Sequence, residues 1–167
     1  TAIGPLINAA AVAKYKAAVA LGRKQGRLLI GGKTLHIGAL AHGYFVEPAI
    51  IDRLPANARL LQSELLVPVL GIVEVASLAE AITLANRNSY GRAAGIFTAV
   101  EEEQVECFNH IGAAAAYCNR REGATTGGWP GVQSVGGWKA SSSSSRNTLG
   151  PFYVPQFLRE QSQTIVQ

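Results

Sequence analysis

Two cysteines and three histidines are the residues of this chain best suited to covalent or acid–base chemistry. A cysteine nucleophile reacts as the thiolate, which forms beside a helix N-terminus, a cation or a paired base. Cys107 falls mid-way along an expected helix, beside Glu106 and shortly after Glu101, Glu102 and Glu103, whose charges oppose a thiolate. Cys118 falls in an expected strand. His36, His42 and His110 are dispersed and form no triad with either cysteine. Both thiols therefore read as structural groups, since a buried free cysteine behaves as a small hydrophobe. Neither stands at a CxxC or Cys/His ligand spacing, so no metal site is expected. No catalytic residue is assigned within the chain.

Two other places carry polar chemistry. Glu64 offers an acceptor-only carboxylate that takes two hydroxyl donors. By residue type alone, a glutamate between Ser63 and Leu65 is more often a solvated surface charge. Gly127 and Gly128 present consecutive N–H groups without side chains, which suits an anion nest. The bland alternative is an ordinary glycine-rich turn.

The elements that must position these groups follow from periodicity and caps. Residues 8–25 are expected to form a helix with Asn8 as N-cap, Val12, Tyr15 and Val19 on its apolar stripe, and Gly26 as its stop. Lys14, Lys16, Arg23 and Lys24 form its wet face. Residues 27–32 read as a strand, 33–43 as a loop, and 44–52 as an extended segment that Pro48 makes irregular. Residues 69–76 read as a buried strand. Ser77 and Glu80 make a capping box for a helix whose stripe is Leu78, Ile82 and Ala85. Residues 92–97 read as another strand, and Thr98 and Glu101 as a second capping box. The glutamates at 101–103 suit the positive end of the helix that follows, with Val105, Phe108 and Ile111 facing inward and Gly112 as the stop. Residues 113–119 are strand-like, 121–150 form a long loop rich in Gly, Ser, Thr and Asn, and 156–166 read as a terminal strand. The strand–helix order from 69 to 119 implies βαβ units, hence an α/β fold with a largely parallel sheet and flanking helices. No GxGxxG follows a strand, so no dinucleotide-binding Rossmann unit is expected within the chain.

Composition sets outer bounds. A length of 167 residues suits one domain or an incomplete one. The charged fraction of 16% is low for an independent surface, which fits either a face that meets another polypeptide or a compact, alanine-rich domain. The net charge of +4 is scattered and not interleaved with aromatics, so nucleic acid is not an expected partner. No stretch is apolar and long enough for membrane insertion, and no amino-terminal signal pattern is visible. So few cysteines suit a reducing compartment, the cytoplasm or the mitochondrial matrix. The absence of any Met suggests a trimmed chain or a piece of a longer one.

Several segments then stand in a telling order. These are Ile3-Gly4-Pro5-Leu6-Ile7, Gly43-Tyr44-Phe45-Val46-Glu47-Pro48, Ser63-Glu64-Leu65-Leu66-Val67-Pro68-Val69, the run at 86–98 containing Ser89-Tyr90-Gly91 and Gly95-Ile96-Phe97-Thr98, and Ser134-Val135-Gly136-Gly137-Trp138-Lys139. In that order they resemble segments of the aldehyde dehydrogenase family, over essentially the whole chain. The stretch 119–133, with Thr126-Gly127-Gly128-Trp129-Pro130-Gly131, is most similar to the 1-pyrroline-5-carboxylate dehydrogenase branch, which oxidises glutamate semialdehyde.

The resemblance implies the carboxyl-terminal part of an NAD(P)-dependent enzyme. In such an enzyme a cysteine thiolate attacks the aldehyde, hydride leaves to the cofactor, and the thioester is hydrolysed. The nucleophile, the oxyanion donors and the dinucleotide fold would lie outside this chain, which alone would neither turn over nor hold NAD or NADP. By resemblance Glu64 would take the nicotinamide ribose hydroxyls, and Leu66, where the family usually has Phe, would give the cofactor an apolar contact. Gly127 and Gly128 would hold the far carboxylate of the substrate, and Val135, in place of an aromatic residue, would pack on the substrate chain. Val67 stands where Gly is usual, and Ser142 where Gly often follows Ser. Residues 1–155 would form a partial catalytic domain and 156–167 a terminal oligomerisation strand. Expected partners are other protein subunits, in an oligomer, or the missing amino-terminal part of the enzyme. The departures at Leu66, Val67, Val135 and Ser142 also suit a second possibility, a degenerate, non-catalytic subunit with a structural role in a larger assembly. A third, an independent module for small acids, rests on Gly127 and Gly128 alone.

Overall fold

The computed structural model describes residues 3–121, 132–134, 136–144, 146 and 150–167. The chain divides into two compact units, Thr1–Ala76 and Ser77–Gln167, so the expected division at residue 155 falls inside the second.

The first unit opens on helix α1, Ala9–Gln25. Asn8 sits extended at its N-cap and its side-chain oxygen accepts from the Ala11 N–H at 2.9 Å, which satisfies a donor the helix cannot. At the other end the Gly26 N–H donates to the Gly22 carbonyl. Strands β1 (Arg27–Ile30), β2 (Thr34–Leu35), β3 (Phe45–Val46), β4 (Ala49–Asp52) and β5 (Val69–Gly71) follow. The sheet order is β1-β4-β5, with β1 antiparallel and β5 parallel to the central β4. β2 and β3 form a separate antiparallel pair, so the expected loop at 33–43 contains a strand and a short 3₁₀ turn at Gly38–Leu40. Pro48 separates β3 from β4, as its missing N–H requires.

Helix α1 lies on this sheet through Tyr15, Ala18, Val19 and Gly22. Tyr15 and Ile51 are the largest fully buried side chains, and the Tyr15 hydroxyl donates to the Glu47 carbonyl. Burying a side chain such as Ile51 contributes about 2–3 kcal/mol. A Cβ at residue 22 would lie 2.1 Å from Ile51 Cδ1, so glycine there is what lets α1 seat on β4. β5 ends at Gly71, earlier than the expected residue 76, although the Ile72 N–H still donates to the Ile51 carbonyl at 2.8 Å.

Arg27 and Asp52 face each other across β1 and β4, with Nε on Oδ1 at 3.0 Å and Nη2 on Oδ2 at 2.6 Å. The guanidinium's hydrogen bonds hold the Asp52 carboxyl below the usual carboxylate range, against the opposing effect of burial. A depressed folded value means the stabilisation is complete above the unfolded value, about pH 3.9, and is lost as pH falls through the folded one. Asp52→Asn is therefore expected to lower the melting temperature at neutral pH, with the gap from wild type closing as pH falls below the ordinary carboxylate value and through the lowered folded one. Thermal melts across that range check it, and a gap that persists at the acid end would assign the loss to packing.

The second unit contains α2 (Leu78–Asn86), β6 (Tyr90–Gly91), β7 (Ala93–Ile96), α3 (Glu101–His110), β8 (Ala115–Cys118) and β9 (Trp138–Lys139). Ser77 caps α2 as its sequence demands, accepting from the Glu80 N–H at 3.2 Å. β7, α3 and β8 make a βαβ unit with β7 and β8 parallel, from Ala93 opposite Ala115 to Ile96 opposite Cys118. β6 pairs antiparallel with β9. The fold is thus α/β, with small sheets of mixed direction in the described residues.

Three local expectations change. Val100, not Thr98, stands at the N-cap of α3 and makes no side-chain cap. Thr98 instead accepts from the Val100 N–H at 3.1 Å and donates to the Glu103 carboxylate, two residues beyond the expected partner. The buried residue of α3 is Cys107, while Val105 and Phe108 are half-exposed, so the inward stripe runs through 107 and the partly buried Ile111. At the carboxyl end, Val154–Phe157 is a 3₁₀ turn with the Tyr153 and Phe157 rings edge to face at 5.3 Å. The expected terminal strand at 156–166 is therefore not formed: its first residues belong to the 3₁₀ turn, and residues 158–167 are exposed and in neither helix nor strand.

Candidate functional site

Glu64 and Leu66 share one loop, residues 62–68, between a 3₁₀ turn at Arg59–Leu61 and β5. Leu65 packs on the cluster built around Ile51, Leu54 and Leu60. Val67 packs on the neighbouring cluster of Tyr15, Val19 and Ala49. The Ala49 N–H takes the Pro68 carbonyl at 2.9 Å and fixes the loop's exit. With both neighbours turned inward, Leu66 adopts φ 53° and is 79% exposed. The left-handed region costs a non-glycine residue about 1–2 kcal/mol, so the loop holds Leu66 there against its preference. Val67 is not at positive φ, and its Cβ is accommodated in the core. The substitution of Gly by Val is thus a packing residue and not a source of strain.

Glu64 is exposed, with its carboxylate at the surface beside that turned-out Leu66. Sequence reasoning missed Lys14 here. Placed on the wet face of α1, it donates from Nζ to the Glu64 carbonyl at 3.1 Å. No local pattern signals a contact between residues so far apart in sequence.

The substrate anchor proposed at Gly127, Gly128 and Val135 lies outside the described residues. The cysteines behave as their positions suggest. Cys107 is buried and its thiol is pushed up, first by burial, then by Cys118 and Glu106. Cys118 is half-buried at the end of β8. Cys107 also lines an apolar cavity of about 270 Å³ with Leu78, Ile82, Ile96 and Ile111, which offers no base to activate it. No group of metal-ligating side chains occurs among the described residues, and no helix there is long and apolar enough to cross a membrane.

Comparison with known proteins is decisive about kinship. The profile of the Aldehyde dehydrogenase family matches residues 1–162. The chain belongs to the aldehyde dehydrogenase family. A 1-pyrroline-5-carboxylate dehydrogenase of Staphylococcus aureus is 34% identical over 160 residues, which is 96% of this chain and 30% of that protein. A 1-pyrroline-5-carboxylate dehydrogenase from Thermus, solved with bound NAD, superposes with a TM-score of 0.83 at 32% identity, covering 93% of this chain and 29% of that one. Lactaldehyde dehydrogenase from Escherichia coli gives a TM-score of 0.82 at 26% identity, covering 95% of this chain and 31% of that one. The chain thus spans about a third of the length of the aldehyde dehydrogenases it matches.

The aldehyde dehydrogenase-like segment at 86–98 proves to be a structural lock. Asn86 Nδ2 donates to the His110 carbonyl at 2.7 Å, and its Oδ1 accepts from the Gly112 N–H at 2.6 Å. One side chain so ties the end of α2 to the end of α3. Lys139, from the Gly-Gly-Trp-Lys segment, donates from Nζ to the carbonyls of Asn86 and Asn88 at 2.9 and 3.1 Å. A cation there also suits the negative end of α2. Gly91 is buried, and a Cβ on it would meet the Gly112 carbonyl oxygen at 2.6 Å. These motif residues are spent on assembling the unit.

Proposed function

We propose that the chain is the carboxyl-terminal part of an NAD(P)-dependent aldehyde dehydrogenase resembling 1-pyrroline-5-carboxylate dehydrogenase, and that it supplies part of the cofactor grip and not the nucleophile. The observation that carries this is the loop at 62–68, which anchors Leu65 and Val67 in the core and turns Glu64 and Leu66 outward. Glu64 would accept from the ribose hydroxyls and Leu66 would pack on the nicotinamide side of NAD or NADP. When bound, that cofactor accepts the hydride released as an aldehyde is oxidised to a carboxylate. Gly127, Gly128 and Val135 would anchor the substrate's far carboxylate and chain, with glutamate semialdehyde as the aldehyde. Burial of Cys107 away from any base supports a nucleophile placed elsewhere.

Association with further protein supports the same reading. Ile30 and Leu70 leave apolar surface on the strands of the first unit, 61% and 57% exposed, and Ile72 adds to it just past β5. That surface suits cover by the rest of an enzyme or by other subunits in an oligomer. A reducing compartment, cytoplasm or mitochondrial matrix, goes with the free thiols. The departure at Leu66 keeps a second reading in view, a non-catalytic subunit of a larger assembly. Intact-mass measurement of the protein from its native source separates them. A longer polypeptide or a co-purifying chain with an alkylatable nucleophilic cysteine is the expected result. An assembly that lacks such a cysteine and binds no nicotinamide cofactor would favour the structural subunit.

A further inference from the structure

We propose that Lys14 is a positioning residue for the loop that carries Glu64 and Leu66. The importance of that loop rests on the cofactor role given to it above, whereas the contact itself does not. Lys14 leaves α1 next to Tyr15, which is fully buried and bonded through its hydroxyl to the Glu47 carbonyl. Its stem therefore starts from a fixed point. Its ammonium reaches the Glu64 carbonyl at 3.1 Å, two residues before the left-handed Leu66. On the far side, Leu66 is bracketed by Val67 in the core and by the Pro68 carbonyl on the Ala49 N–H. On the near side, Leu65 fixes a side chain but not the peptide that leads into it. Lys14 supplies the restraint on that peptide. A non-glycine residue stays at positive φ only where the surrounding structure over-determines it, and the Lys14 bond restrains the Glu64–Leu65 peptide, one removed from Leu66. Without Lys14, Leu66 is free to turn and Glu64 loses its fixed direction.

The test uses the full chain in variants Lys14→Met and Lys14→Arg, with Lys16→Met as a control on the same helix. Both positions of change are exposed, so the fold is kept. Backbone order parameters of residues 64–67 are measured by NMR. Lys14→Met is expected to take them from rigid values, about 0.85, toward the flexible range below about 0.6. Lys14→Arg, which still donates, should restore them, and Lys16→Met should leave them at wild type. Unchanged order parameters in Lys14→Met would overturn the positioning role, whatever the loop binds. A second arm titrates NAD into the assembled enzyme, where Lys14→Met should raise Kd roughly five-fold and Lys14→Arg should not. A loop that loosens with no change in that Kd would uphold the positioning role and overturn the cofactor reading.

Discussion

In the assembled enzyme, Glu64→Gln is expected to weaken nicotinamide cofactor binding by roughly ten- to one-hundred-fold. The substitution keeps the side chain's size but removes the charge and replaces one acceptor oxygen with an NH2 donor, so only one hydroxyl can still be accepted. A hydrogen bond to a charged partner is worth about 1.5–3 kcal/mol, and each 1.4 kcal/mol is a factor of ten. Glu64 is exposed and its backbone is held by Lys14 and by the inward Leu65, so the loop should keep its shape in the variant. Melting temperature should therefore not move while affinity falls. Titration with NAD and with NADP reads the effect. An affinity equal to wild type would make Glu64 a solvated surface charge and leave the loop without its proposed role.

Removing residues 158–167 is expected to disperse the assembly in which the chain works. That segment is exposed throughout, with Ile165 and Val166 each 89% exposed. An extended terminal segment carries a row of backbone donors and acceptors that finds its complement on another sheet edge. Apolar side chains at such exposure also fit a partner surface better than water. The cut is placed after Phe157 because Tyr153 and Phe157 pack on one another. Sedimentation of the full and shortened chains with their partners measures it. A soluble monomer that is indifferent to the deletion would contradict the association.

The elements set by nearest neighbours were legible in the sequence. Asn8, Gly26 and Ser77 bound their helices as expected, and Pro48 interrupts its strand. The β7–α3–β8 order made a parallel pair. What escaped depended on rotation or distance. Helix α3 buries Cys107 and leaves Val105 and Phe108 half-exposed. β5 stops at Gly71, short of the expected residue 76. Asn86 and Lys139 lock distant chain ends through contacts that no local period encodes. Of the candidate site, Glu64 and Leu66 were identified through resemblance, since a lone glutamate and leucine carry no signal of their own. The left-handed Leu66, and the reason Val67 is tolerated beside it, needed the two core clusters to be in place. Gly127, Gly128 and Val135 lie outside the described residues.

Steady-state oxidation of glutamate semialdehyde by the purified chain, with NAD and then NADP, tests most directly whether this part of an aldehyde dehydrogenase lacks its own nucleophile. The expected result is no sustained turnover, because covalent catalysis needs an activated thiolate and burial pushes the Cys107 thiol the wrong way. Sustained turnover by the isolated chain that is abolished in Cys107→Ser or Cys118→Ser would contradict it and make that cysteine catalytic.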